Sequence, residues 1–70
     1  MLTDYTVEGP YAWVTVPRWR IMARSKEGRV YTFTMYSASQ PTLEEANTWF
    51  ATNGGSALDI TPGQYVEDEG

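Results

Sequence analysis

The side chains best equipped for chemistry fall in one window: Arg18, Arg20, Arg24, Lys26 and Arg29 are all the basic residues of a 70-residue chain. Glu27 shares that window, which therefore carries five positive charges and one negative, or +4. The remaining residues hold the other eight of nine carboxylates and no cation, or −8. Alternate residues of a strand lie about 6.6 Å apart on one face, so Arg18, Arg20 and Arg24 form a guanidinium stripe. Such a stripe suits two tasks: following a phosphate backbone, or docking on an acidic protein surface. The overall charge of −4 makes nucleic acid the less favoured partner, because a net negative chain is repelled by a polyanion at long range. The third reading is an ordinary solvated sheet face, offset by acidic segments elsewhere.

Catalysis has little to work with. The chain contains neither histidine nor cysteine, which removes the commonest general base, the commonest nitrogen ligand, thiolate nucleophiles and disulfides together. Glu44 and Glu45 read as favourable charges at a helix N-terminus. Glu67, Asp68 and Glu69 read as a solvated end. Gly54-Gly55 follows a helix instead of preceding one, so its amides cannot cradle a phosphate. The expectation is a non-enzymatic protein with no cofactor and no metal.

The aromatics are the second candidate group. Of ten, Trp19, Tyr31, Phe33 and Phe50 are core by pattern; Tyr5, Tyr11, Trp13, Tyr36, Trp49 and Tyr65 cannot all be buried in so small a chain. Exposed tryptophan and tyrosine are enriched at interface hot spots, so Trp13 and Tyr36 join the five basic residues as candidate partner-binding residues. Alternatively, Trp13 and Trp49 complete a thin core.

These residues need elements to position them. Leu2 to Val7 reads as a short strand ending at a turn, Glu8-Gly9-Pro10, and Tyr11 to Val16 as a second one interrupted by Pro17. Arg18 to Ser25 and Arg29 to Tyr36 form a β-hairpin around Lys26-Glu27-Gly28. A three-residue loop pairs residues whose numbers sum to 54, which sets Trp19, Ile21 and Ala23 opposite Met35, Phe33 and Tyr31 on one face. Arg20, Met22 and Arg24 then lie opposite Thr34, Thr32 and Val30 on the other. A two-residue loop would set Ile21 against Thr34 and mix the faces. Gly28 is accordingly predicted in the left-handed conformation.

Thr42 to Glu45 opens a helix with a capping box, Leu43, Ala46 and Phe50 follow at helical spacing, and Asn53-Gly54-Gly55 stops it. Ala57 to Thr61 is a last short strand with Leu58 and Ile60 directed to one side. The expected fold is α+β: a small antiparallel sheet of three to five strands with one helix packed on one face, around a ββαβ core. Trp19, Ile21, Phe33, Leu43, Phe50, Leu58 and Ile60 form the predicted core. One domain spans residues 1–66, with a frayed acidic tail at 67–70. The N-terminus does not read as a signal peptide and no apolar segment approaches membrane-spanning length, so a cytoplasmic location, with no membrane contact, is expected. A core of this size is marginal, which makes a homodimer or a partner complex a natural source of stability.

From Arg18 to Thr61, with Tyr36-Ser37-Ala38 and Thr42-Leu43-Glu44-Glu45-Ala46 in place, the chain resembles the small RNA-polymerase inhibitors of podophages. That resemblance implies a ββαβ layout and a host-takeover role, binding the jaw of the largest polymerase subunit in the host cytoplasm and preventing open-complex formation. The closing strand departs from the family by carrying Asp59 and no arginine, so no functional residue is carried over individually. Anti-CRISPR proteins, which inhibit effector complexes, share the same small, acidic, cysteine-poor character. A self-assembling structural subunit is the remaining expectation.

Overall fold

Backbone hydrogen bonds close the central hairpin as its three-residue loop demands. Ser25 N donates to Arg29 O at 2.7 Å and Gly28 N to Ser25 O at 2.9 Å, while Gly28 adopts φ +88°, a region open to glycine at little cost. In the computed structural model, which describes residues 1–11 and 16–61, β2 (Arg18–Ser25) and β3 (Val30–Tyr36) pair antiparallel from Arg18↔Tyr36 to Arg24↔Val30. Every pair sums to 54. The alternation therefore places Trp19, Ile21, Ala23, Phe33 and Met35 on one face, where all are buried.

The N-terminal strand is longer than predicted. β1 (Leu2–Tyr11) runs as an edge strand antiparallel to β2, with Tyr5 opposite Ala23 and Val7 opposite Ile21. Glu8-Gly9-Pro10 does not turn the chain away; it carries a register shift between Glu8 and Tyr11 within the strand. Gly9 makes this feasible. It sits at φ +141°, and a Cβ there would lie 3.0 Å from Arg18 O and 3.1 Å from the Trp19 ring, so the strand crosses the indole where only hydrogen fits. Of the second predicted strand, Tyr11 belongs to β1, Val16 lies in a bend, and residues 12–15 lie outside the described residues, as do Tyr65 and the acidic tail.

The helix follows its local code. α1 (Leu43–Asn53) begins at Thr42, whose Oγ1 accepts from Glu45 N at 3.1 Å while Thr42 N donates to Glu45 Oε1 at 2.9 Å. Leu43, Ala46, Trp49 and Phe50 turn to the sheet. Trp49 stacks on Phe33 and Phe50 tilts against Tyr31, with ring centroids 4.8 Å apart. The helix ends at Asn53, but Gly54 keeps a right-handed conformation and leads into a single 3-10 turn, Gly54–Ser56.

β4 (Leu58–Ile60) completes a sheet of order β1-β2-β3-β4, all antiparallel. Its facing corrects one expectation. Tyr31 pairs with Asp59, so Leu58 and Ile60 accompany Thr32 and Val30 on the face away from the helix. Leu58 is 52% exposed and Ile60 half-buried, and neither belongs to the core. The core is instead completed by Leu2, only 2% exposed, with Tyr5 and Val7 packed against it. One α+β layer pair results, with the helix on one sheet face and the arginine stripe on the other.

Candidate functional site

Register decides which basic residues share a surface. Arg18, Arg20 and Arg24 occupy even positions of β2 and project from the helix-free face, together with Tyr36, Leu58, the β1 residues paired to the arginines, Asp4, Glu8 and Tyr11, and Thr6, which pairs with Met22. Arg29 lies beside Tyr31 and Asp59 instead, and Lys26 is exposed at the hairpin tip. Trp13 lies outside the described residues.

Within this face the arginines differ sharply. Arg20 is only 6% exposed: its guanidinium lies 3.6 Å from Glu8 Oε1 and 5.6 Å from the centre of the Tyr11 ring. A carboxylate on one side and an aromatic face on the other are what a buried guanidinium requires, since its charge must be compensated away from water. Arg18 is half-buried opposite Tyr11 and Tyr36, and Arg24 is exposed opposite Asp4. Arg29 meets Asp59 at 3.1 Å. A side-chain hydrogen bond with Tyr31, and then the Asp59 carboxylate, hold the Arg29 guanidinium above its ordinary pKa.

Charge segregation along the chain is therefore largely undone in space. The acids of β1 flank one side of the basic strand and Asp59 of β4 reaches the hairpin's other arm. No local sequence signal announces Glu8 and Tyr11 as partners of Arg20, because the pairing depends on a strand register interrupted at Gly9.

The accessible part of the face combines apolar and cationic character. Tyr36 is 67% exposed and Leu58 52%, and exposed Arg24 lies on the same face as both. On the opposite face, a groove of about 360 Å³ beside α1 is lined by Met35, Trp49, Thr48, Glu44 and Glu45, but Glu45 is already committed to the helix cap. Among the described residues, no three Asp, Glu, His or Cys side chains gather as a metal site, and no helix is long and apolar enough to cross a membrane.

Comparison of the chain with protein-family models, with curated proteins and with solved structures found no match.

Proposed function

We propose that this protein is a non-enzymatic binding module that docks on an acidic surface of a larger protein assembly through its helix-free sheet face. The observation that carries this reading is that Tyr36, Leu58 and Arg24 are exposed around one sheet face whose centre, Arg20, Val30 and Thr32, is buried. Aromatic and arginine side chains with apolar neighbours make the anchors of protein interfaces, and charge complementarity to a partner speeds encounter. Inhibition of a bacterial machine, with RNA polymerase as first target and a CRISPR effector as second, is the activity we assign to that contact. It rests on the sequence resemblance.

Nucleic acid is the less favoured ligand. Glu8 beside Arg20, Asp4 opposite Arg24 and Asp59 beside Arg29 set a carboxylate near each of three basic residues. A phosphate backbone following the whole stripe would meet all three acids at the same range, whereas a protein surface can place its acidic groups at exposed Arg24 alone and meet Tyr36 and Leu58 with apolar ones. Capture from bacterial lysate with and without nuclease, followed by mass spectrometry, separates the readings. Retention of a defined multisubunit enzyme after nuclease, with inhibition of that enzyme when purified, supports the proposal. Loss of all retention after nuclease replaces it with nucleic-acid binding.

A further inference from the structure

We propose that the outer edge of β1 is a strand-addition site for an extended segment of another protein in which basic and apolar residues alternate. The backbone edge of β1 is distinct from Tyr36, Leu58 and Arg24, which carry the docking proposal, so a failure here leaves that proposal standing, although the selecting carboxylates lie on the same sheet face.

Hydrogen-bond parity defines the edge. Ser25 N bonds Arg29 O and Pro17 O accepts from Ser37 N, so odd positions of β2 direct their backbone groups to β3. Lys26 N donates to Met1 O, so even positions serve β1. Tyr5 and Val7 lie opposite Ala23 and Ile21, both odd, and their own N–H and C=O groups therefore point away from β2. Among the described residues no strand lies on that side.

One position on the same edge is already closed. The Asn47 side chain accepts from Leu2 N at 2.7 Å and donates to Leu2 O at 3.1 Å, supplying from the helix the donor and acceptor that a neighbouring strand would offer. At the far end Pro10 has no N–H to give. Between these two limits Tyr5 to Glu8 presents two outward donors and two outward acceptors in strand geometry, which is the requirement for β-augmentation.

Side chains select the occupant. Asp4 and Glu8 are exposed on one face of this stretch, with Thr6 between them, whereas Tyr5 and Val7 turn apolar groups to the other. An incoming strand gains chiefly from lysine or arginine opposite Asp4, since Glu8 already pairs with Arg20, and from apolar residues beside Tyr5 and Val7. A second copy of β1 is disfavoured because β1 has no basic residue, so self-pairing would gather four carboxylates on one face.

The test tethers a short strand of alternating lysine and valine to the N-terminus through a glycine-serine linker, which holds it at millimolar effective concentration. Amide hydrogen exchange of the free protein should show Thr6 and Glu8 protected and Tyr5 and Val7 fast. The basic tether should slow Tyr5 and Val7 about tenfold or more, and the same tether with glutamate in place of lysine should not. In the Asp4→Lys variant the preference should reverse. Equal protection by both tethers, or none by the basic one, overturns the proposal. Protection that appears without any tether and grows with protein concentration assigns the edge to a second copy and also overturns it.

Discussion

The indole of Trp49 lies flat against the ring of Phe33, with centroids 4.3 Å apart and planes within 4° of parallel. This contact fastens the helix to β3, and a stack of this kind adds roughly 0.5–1.5 kcal/mol beyond the area it buries. Trp49→Ala should cost about 3 kcal/mol in total, read as a lower urea midpoint, and Trp49→Phe should recover more than half of the loss.

Two glycines should respond in opposite directions to alanine. Gly9→Ala forces a Cβ to 3.0 Å from Arg18 O at φ +141° and should destabilise by about 1–3 kcal/mol. Gly54 has φ −54°, and a Cβ there meets the Phe50 ring at an ordinary 3.8 Å, so Gly54→Ala should be neutral or stabilising by up to about 1 kcal/mol. Chemical denaturation of the two variants side by side checks both signs.

The arginine stripe should divide into a structural and a surface member. Arg20→Ala leaves a void under Tyr11 and strands Glu8 without its ion pair, which should lower stability by about 1–3 kcal/mol. Arg24→Ala, at an exposed position, should stay within about 0.5 kcal/mol of the parent. Equal losses in thermal melts of the two variants would contradict this division.

Asn47 should matter more than a half-exposed helix residue ordinarily does. Removing its amide leaves the donor and acceptor of Leu2 without partners beside a side chain that is 2% exposed, at a cost of about 1–3 kcal/mol. Asn47→Ala should also speed exchange of the Leu2 amide selectively. Asn47→Asp keeps the acceptor, loses the donor, and should fall between the two.

The parts legible in the sequence are those fixed by short-range rules. Gly28 and the alternation of Trp19, Ile21 and Phe33 set the hairpin register, and Thr42 with Glu45 sets the helix start, because each involves residues close in the chain. What sequence alone missed depends on long-range register. Leu58 and Ile60 alternate correctly as a strand, but only the Tyr31↔Asp59 pairing decides which face they take. Glu8-Gly9-Pro10 carries every turn signal, yet the packing of Gly9 over Trp19 keeps the strand going. Arg20 looked like a solvated stripe member for the same reason: its cover comes from β1, across that bulge.

The docking claim is tested most directly by a double variant, Arg24→Glu with Tyr36→Ala, compared with the parent chain for retention of a protein assembly from nuclease-treated bacterial lysate. Both positions are exposed, so the variant should melt close to the parent. The account predicts that the parent retains a defined assembly, that retention weakens with added salt, and that the double variant loses it at least about tenfold. Undiminished retention by a folded double variant, or no retention by the parent, would contradict it.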